Sequence, residues 1–399
     1  MSDAKLRAWW WHIQGLDGSL RGAKSAAVLQ RSGWARSVGG AGPYVTLFSR
    51  AGIVRDTVDD AVAKREVHEL PAARGCTYVL PADDYAVGLT VAQAFQGTDR
   101  RVASKLGVTD QEIETLCDAV LGAVGKQPLA PDEIKQATGK AVRNLGVEGK
   151  KKGMITTLPL ALGILQARGE IRRVPVEGRL DQQRFRYARW SPSPLAKSKL
   201  SQADAFIELA RRFFGWVGPA TLKELQWYSG LGVKAVEEAV APLRLVPADG
   251  GGGDRLLLPD AAGAFARFEP PGDPQYTLVT SLDAISAARR DVSTLVDARD
   301  REIVAKLTFG QKFGGGSLVD LAAHAIFDRG RLIGYWEYDS DEQQIVWATF
   351  SGKKDRALKQ VVAQTEAYVR DHLGDVRSFS LDSPKSRKPK LDALRRFMA

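Results

Sequence analysis

The stretch VLQRSGWARSVGGAGPYVTLFSR, residues 28–50, decides the fold that this sequence predicts. Its apolar first part runs into a glycine-rich middle, and Pro43 is a residue that commonly opens a helix. Tyr44, Leu47 and Phe48 then recur at helical spacing. The pattern therefore predicts a helix, a tight turn and a second helix.

The glycines of this turn permit the close approach of another backbone. At Gly39 and Gly40 no side chain stands in the way of a ligand. Amides at the N-terminus of the second helix, with Arg36 and Arg50 nearby, suit an anion such as a phosphate. We therefore expect Gly39, Gly40 and Arg50 to contact a nucleic acid. An ordinary glycine-rich connection between two core helices is the alternative, and these residues alone do not separate the two.

The composition indicates a basic protein of several domains. A chain of 399 residues is too long for one ordinary core, so roughly two to four domains are expected. Lys plus Arg number 57 against 47 Asp plus Glu, and the net charge of +10 favours a polyanionic partner such as double-stranded DNA. No apolar run is long enough to span a bilayer, and the chain does not begin with a signal-peptide pattern. We expect a cytoplasmic monomer with no membrane partner.

Signatures of cofactors and of reactive nucleophiles are missing from the sequence. The four histidines are scattered, without the spacing that places two metal ligands on one helix face. The glycine runs at 250–253 and 314–316 lack the Lys-Ser/Thr pair of a P-loop and are interpreted as loop tips. No Gly-x-Ser-x-Gly elbow is present. We therefore expect no metal site and no cofactor, and no hydrolysis through a serine or cysteine nucleophile.

The first 108 residues show the element order of a winged helix. Asp83 and Asp84 precede a helix predicted over residues 85–95, and we interpret them as N-cap residues rather than as a catalytic pair. The segments before them are predicted as helices at 3–15, at both ends of 28–50 and at 57–66, followed by a strand at 73–80.

A helix-turn-helix with a two-stranded wing is the clearest unit, over residues 109–194. Helices are predicted at 111–124, 128–134 and 154–167, and wing strands at 169–174 and 184–190. The third helix is preceded by Lys150, Lys151 and Lys152, and the wing carries Arg172, Arg173, Arg184 and Arg186. Both elements that would touch a duplex are thus basic, which favours phosphate contacts over a merely solvated face.

The same order repeats once more before the pattern changes to strands. Three helices and a wing are predicted between 205 and 258. Period-two strands are predicted at 276–279, 303–309, 324–327, 332–338 and 345–350, with a closing helix at 357–373 and a basic tail at 385–390. We therefore predict an α+β protein of tandem winged-helix repeats at 1–108, 109–194 and 195–262, followed by a small antiparallel β-sheet domain at 263–399.

Three motifs resemble a known family. They are Gly33-Trp34, Pro43-Tyr44-x-x-Leu47-Phe48-x-Arg50 and Arg74-Gly75-Cys76-Thr77-Tyr78-Val79-x-Pro81-x-x-Asp84. Together with tandem winged helices they are similar to the AlkZ-like winged-helix superfamily of bacterial DNA glycosylases. The resemblance implies a C-shaped array whose basic concave face grips duplex DNA. It also implies excision of alkylated or crosslinked bases, without base flipping being strictly required.

The sequence departs from this family at the catalytic motif. The resemblance places a Gln-x-Gln or Gln-x-Asp after a Gly-Leu, where this chain has Ala35-Arg36-Ser37, or Arg36-Ser37-Val38 with a gap one residue later. Neither alignment keeps a glutamine or a carboxylate, so the catalytic pair is not carried over. Cleavage of an N-glycosidic bond needs a polarised water beside a sugar that becomes positive. Ser37 suits the orientation of that water, and Arg36 suits the holding of a phosphate.

The missing hydrogen-bond acceptor has candidates at the end of the first helix. His12, Gln14 and Asp17 supply it if they face the same cleft. An ordinary surface or helix-end role is the alternative for each of them.

Two hypotheses on function stay open at this point. One is a repair glycosylase with a divergent active site around residues 36–40. The other is a non-catalytic DNA-binding protein that regulates or senses lesions. A third, weaker hypothesis treats the basic surface as incidental and the protein as a scaffold for another protein; salt-dependent DNA binding separates the first two from it.

Overall fold

The computed structural model describes residues 2–182, 184–248, 253–289, 291–306, 318–321 and 323–398. Helices and small antiparallel sheets alternate along this part of the chain, which confirms the predicted α+β class. No helix within these ranges is both long and apolar enough to cross a bilayer.

A three-stranded antiparallel sheet organises the N-terminal part. The elements here are α1 (Asp3–Ile13), α2 (Ser25–Ser32), β1 (Ala35–Arg36), α3 (Gly42–Ala51), α4 (Arg55–Ala63), β2 (Val67–Pro71), β3 (Thr77–Pro81), α5 (Tyr85–Gln93) and α6 (Gly97–Lys105). Strand β3 lies between β1 and β2. The sequence pattern does not predict β2, because His68 and Glu69 interrupt its apolar residues although both side chains are buried.

Four helices and a hairpin come next, close to the prediction. They are α7 (Asp110–Ala123), α8 (Pro131–Thr138), α9 (Gly146–Lys151), α10 (Leu158–Ala167), β4 (Ile171–Pro175) and β5 (Phe185–Arg189). A capping box of Thr109 and Glu112 starts α7. One hydrophobic cluster, drawn entirely from residues between Ala103 and Tyr187, forms the core of this segment.

Three further helices and a short hairpin repeat the order, as predicted. They are α11 (Gln202–Val217), α12 (Leu222–Ser229), α13 (Val233–Val240), β6 (Val246–Pro247) and β7 (Leu256–Leu257), followed by α14 (Pro259–Arg267). Capping boxes at Ser201 and Thr221 start α11 and α12. The loop tip predicted at 250–253 lies outside the described residues except for its last glycine.

The C-terminal part contains a four-stranded antiparallel sheet. Its elements are β8 (Tyr276–Val279), α15 (Ala284–Ala287), α16 (Arg301–Lys306), β9 (His324–Asp328), β10 (Arg331–Asp339), β11 (Gln344–Thr349), α17 (Arg356–Tyr368) and α18 (Pro384–Met398). The strand order is β11–β10–β9–β8. Arg329 and Gly330, both at positive φ, make the tight turn between β9 and β10.

Two predictions for this C-terminal part need correction. The strand predicted at 303–309 is wrong where it is described, because residues up to Lys306 form α16 from good helix formers. Residues 307–309 and the glycine run at 314–316 lie outside the described residues. The basic tail at 385–390 belongs to α18, which the sequence does not predict because Pro389 lies inside the helix.

Three of the four hydrophobic clusters combine residues from different predicted domains. Tyr44 shares a cluster with Tyr338, and Trp34 shares another with Phe213. Trp10 packs in the third together with residues of the C-terminal sheet. The domain boundaries at 108, 194 and 262 therefore stay a prediction, while the apolar packing runs across them.

A fully buried ion pair joins α3 to the C-terminal part. Arg50 donates hydrogen bonds of 2.8 and 2.7 Å to the two carboxylate oxygens of Asp283. It also donates to the backbone oxygen and to the Oε1 of Gln14, each at 3.0 Å. Neither charged side chain has any exposed surface. The expected DNA contact of Arg50 is therefore wrong: the guanidinium is occupied by a carboxylate 233 residues away, for which the sequence carries no signal.

Replacing Asp283 by Asn is expected to destabilise the protein by about 3–5 kcal/mol, because the Arg50 charge would stay buried without its counterion. Urea unfolding followed by tryptophan fluorescence measures the change. Asp60→Asn, which removes one partner of an exposed pair with Lys64, is the matched control and is expected to cost less than about 1 kcal/mol. Equal losses in the two variants would contradict the role given to the buried pair.

Candidate active site and nucleic-acid interface

A buried hydroxyl and a buried carboxylate meet beside the glycine-rich turn. The Oγ of Ser37 donates a hydrogen bond of 2.6 Å to the Oε1 of Glu69. Ala35 and Glu69 are both paired with Val79 of the central strand, so these positions share one face of the sheet. Ser37, two residues beyond Ala35, projects to the same face. The structure thus places a carboxylate next to the position where the family resemblance expects a glutamine.

Arg173 of strand β4 extends this pair into a row of three polar groups. Its Nη1 lies 3.3 Å from the Oε2 of Glu69, and its guanidinium lies 4.3 Å from the ring centre of Phe185. The exposed fractions of the Glu69 and Arg173 side chains are 10% and 22%. The contact joins the N-terminal sheet to the β4–β5 hairpin. Arg173, predicted to touch DNA, is instead largely committed to Glu69.

Glu69 is the functional candidate that the sequence did not reveal. It lies in a five-residue strand, and nothing in the pattern of that strand separates it from a solvated glutamate. One signal was present: a charged residue surrounded by Val67 and Leu70 in a segment rich in apolar residues. Only the pairing of three strands reveals that this side chain points at Ser37.

Arg36 lies on the opposite face of the sheet from Ser37. Its guanidinium carbon is 5.1 Å from the ring centre of Tyr78, the residue paired with it across the strands. There it lines a small cavity of about 40 Å³ together with Trp34, Trp216 and Arg74. Arg36 and Ser37 therefore project to opposite faces, as neighbouring residues of an extended chain do, and the separate roles predicted for them stay predictions.

Gln14 is not available as a catalytic acceptor. Its side chain has no exposed surface, and its Oε1 accepts a hydrogen bond from Arg50. Its Nε2 donates to the backbone oxygen of Trp216 at 3.3 Å. Both ends of the amide are thus used within the core, so the expectation that Gln14 faces a cleft is wrong.

Asp17 belongs to a local network at the end of α1. Its carboxylate lies 2.7 Å from the Nδ1 of His12 and accepts a hydrogen bond of 2.6 Å from the hydroxyl of Ser19. Although partial burial opposes ionisation, the bonds from His12 and Ser19 lower the pKa of Asp17 to about 2. The ring of His12 stacks on Phe268. None of these contacts reaches Ser37, so the structure does not bring Asp17 to the site around Ser37.

Asp84 does not act through its side chain as an N-cap. Its Oδ2 accepts a hydrogen bond of 2.7 Å from the Nε1 of Trp34, and its Oδ1 accepts one of 2.9 Å from the Nε of Arg212. Three segments that are distant in sequence meet at this buried carboxylate. Asp84 therefore serves the packing of α5 and α11 rather than the start of α5 alone.

The glycine-rich turn is approached closely by the chain itself. The amide of Ala41 donates to the oxygen of Arg377 at 3.0 Å, and the amide of Ser380 donates to the oxygen of Val38 at 3.1 Å. A Cβ atom at Gly40 would lie 2.2 Å from the Arg377 oxygen. The predicted close approach exists at Gly40, where it is made by residues 377 and 378 of the chain itself, and DNA contact at Gly39 and Gly40 stays a prediction.

The predicted phosphate contacts of the basic segments divide into two groups. Lys151, Arg184 and Arg186 each form an ion pair, with Glu148 at 2.7 Å, Glu177 at 2.9 Å and Glu133 at 3.8 Å respectively. Lys150 and Lys152 are exposed, and within the described residues no carboxylate lies within 4.0 Å of either. DNA contact by these side chains stays a prediction.

The described part of the chain holds no group of three or more His, Cys, Asp and Glu side chains that could bind a metal ion. The site of Ser37, Glu69 and Arg173 presents a hydroxyl, a carboxylate and a guanidinium group.

A sequence profile of the DNA glycosylase AlkZ-like family matches residues 30–379, so the chain belongs to this family. Its fold is similar to that of Streptomyces sahachiroi DNA glycosylase AlkZ, with a TM-score of 0.71 and 18% sequence identity. The match covers 94% of this chain and 98% of that chain. A comparison with curated proteins found no match. The resemblance inferred from the motifs is thus confirmed at the level of family and fold.

The Gly40→Ala variant is expected to lose about 1–3 kcal/mol of stability, because its methyl group would overlap the backbone of residues 377 and 378. Thermal unfolding followed by circular dichroism measures the loss. Gly163→Ala is the control, since a Cβ there meets no atom within 4 Å and the helical position favours alanine. A Gly40→Ala protein as stable as the wild type would show that residues 377–380 do not bind this turn in solution.

Proposed function

We propose that this protein is a DNA glycosylase that binds duplex DNA and excises alkylated or crosslinked bases, with an active site rebuilt on Ser37 and Glu69. Membership of the DNA glycosylase AlkZ-like family supports the class of reaction. The observation that carries the proposal is the 2.6 Å hydrogen bond between Ser37 and a buried carboxylate beside the missing motif. In this proposal the protein acts as a monomer on DNA in the cytoplasm.

The proposed reaction is hydrolysis of the bond between C1′ of the sugar and the base nitrogen. As that bond breaks, its electron pair leaves with the base and positive charge develops on the sugar. A carboxylate such as Glu69 has the sign that stabilises this charge, and it accepts a proton from the attacking water as the water oxygen bonds to C1′. The Ser37 hydroxyl donates a hydrogen bond to Glu69 and orients the water by accepting a hydrogen bond from it. Arg173 holds the second carboxylate oxygen and fixes the orientation of the group.

A non-catalytic DNA-binding protein, regulatory or lesion-sensing, is the second candidate. The exposed fractions of Ser37 and Glu69 are only 2% and 9%. The carboxylate is also paired with Arg173, an arrangement that serves packing as well as chemistry. This burial favours a chain that keeps the fold and binds DNA without releasing a base.

Base release from alkylated duplex DNA separates the two candidates. End-labelled duplex carrying N-alkylated purines is incubated with the protein, treated with hot alkali and resolved on a sequencing gel. We expect strand breaks at the lesions, and a rate reduced on the order of 100-fold or more in Ser37→Ala and Glu69→Gln, because each removes a group that positions or activates water. Asp60→Asn, an exposed carboxylate of the same part of the chain, is the control.

The outcomes of this assay are distinct. Wild-type protein that binds the duplex but leaves it intact would establish the non-catalytic candidate. Full activity in both Ser37→Ala and Glu69→Gln would move the chemistry away from this site.

Duplex binding is expected to depend on Lys150 and Lys152, which flank Lys151 at the end of α9 and have no carboxylate within 4.0 Å among the described residues. Replacing Lys150 and Lys152 by Gln should lower the magnitude of the slope of log affinity against log salt by about 2, since each phosphate contact contributes about 1. Fluorescence anisotropy with a labelled duplex at several salt concentrations measures the slope. Lys359→Gln, an exposed lysine on α17, should leave it unchanged. An unaltered slope in the double variant would remove α9 from the interface.

A further inference from the structure

Two arginines close to the candidate site, Arg65 and Arg172, form no ion pair with any of the described residues. Arg65 follows α4 and is exposed, and Arg172 of β4 is partly buried. Among the described residues no carboxylate lies within 4.0 Å of either guanidinium. The Nε of Arg172 is buried and makes no hydrogen bond. Partly buried guanidinium groups without a counterion are costly, because they lose hydration without gaining a partner.

His68 of β2 lies beside these two charges, with its ring near the backbone of Arg173. Its exposed fraction is 1%, and neither ring nitrogen makes a hydrogen bond of ordinary geometry. Its ring contacts those of Trp190 and Tyr85, with centroid distances of 5.2 and 6.5 Å. Burial, with the charges of Arg172 and Arg65, lowers the pKa of His68 to about 3. A neutral imidazole can still donate one hydrogen bond to an anion.

The fold fixes the backbone from which the Arg65 side chain extends. Arg65 has a positive φ of 62°, and its backbone oxygen accepts a hydrogen bond of 2.9 Å from the hydroxyl of Tyr85. Burial and the charge of Arg65 together lower the pKa of Arg172, so the two cations are close enough to repel one another. A fold that brings two cations together beside a buried imidazole, with no carboxylate of the described residues within 4.0 Å of either cation, leaves a site of the right sign and donor set for an anion.

We propose that Arg65, His68 and Arg172 form a binding site for a phosphate group. Arg172 presents several N–H donors in one plane, which match two oxygens of a phosphate, and Arg65 reaches the same group from the exposed side. We assign this phosphate to a phosphodiester of the DNA backbone, an assignment that rests on the proposed function. A free phosphate ion is the other source with the same chemistry.

The position of this site relates it to Glu69. His68 and Glu69 are neighbours on β2, and Arg172 and Arg173 are neighbours on β4, so alternate residues of the same two strands serve opposite faces. Glu69 and Arg173 meet on one face, and His68 and Arg172 lie on the other. A phosphodiester bound by His68 and Arg172 would be anchored through β2 and β4, the same two strands that carry Glu69 and Arg173.

The test uses the full chain and the Arg65→Gln/Arg172→Gln double variant, with Lys359→Gln as the charge-matched control on α17. The first arm measures the melting temperature in inorganic phosphate and in chloride at equal ionic strength. We expect phosphate to raise the melting temperature of the wild type and of Lys359→Gln but not of the double variant, since a ligand stabilises the state that binds it. In chloride the double variant should be at least as stable as the wild type, because the substitutions remove a repulsion.

The second arm measures the affinity for an undamaged duplex against salt. A slope lowered by about 1 in the double variant, the contribution of one phosphate contact, assigns the site to a DNA phosphate, and an unchanged slope with the phosphate response lost assigns it to free phosphate. A double variant that keeps both responses, or a wild type that shows neither, overturns the proposal, as does a double variant that is less stable in chloride. Wild-type protein that binds no duplex refutes the proposed function, whereas normal duplex binding with unaltered responses refutes only this site.

Discussion

The buried pair of Arg50 and Asp283 is the interaction on which the arrangement of the chain depends. Arg50 uses every nitrogen of its guanidinium, with two bonds to Asp283 and two to Gln14, so three segments distant in sequence meet at one group. Separating two buried charges is costly, because no water is present in the interior to solvate either charge once its partner has moved away. The helix α3 that begins beside the glycine-rich turn is thereby fixed against the C-terminal part.

Alternation along two strands then decides which chemistry lies on which face. Glu69 and Arg173 meet Ser37 on one face of the N-terminal sheet, whereas the neutral ring of His68 and the charged guanidinium of Arg172 lie on the other. Shifting either strand by one residue would exchange the two sets. The same rule separates Arg36 from Ser37, although they are adjacent in the sequence.

The family assignment and the departure at the motif are compatible. The chain keeps the AlkZ-like fold over almost its full length while lacking the glutamines that the resemblance expects. The carboxylate of Glu69 on β2 lies beside Ser37, at the place where the motif of this chain has no glutamine or acid. The position of Glu69 is set by the pairing of β2 with β3.

Local pattern determined the α+β class, the helices with capping boxes, the two hairpins β4–β5 and β6–β7 and most strands of the C-terminal sheet, because helical spacing, period-two alternation and turn residues act within about ten residues. The close approach at Gly40 was also predicted from the sequence, since only glycine tolerates it. Tertiary structure alone decided what approaches Gly40, where Arg50 finds its counterion and which side chain faces Ser37. Those contacts join residues from about 30 to more than 300 positions apart, and no local pattern records a partner at such a separation.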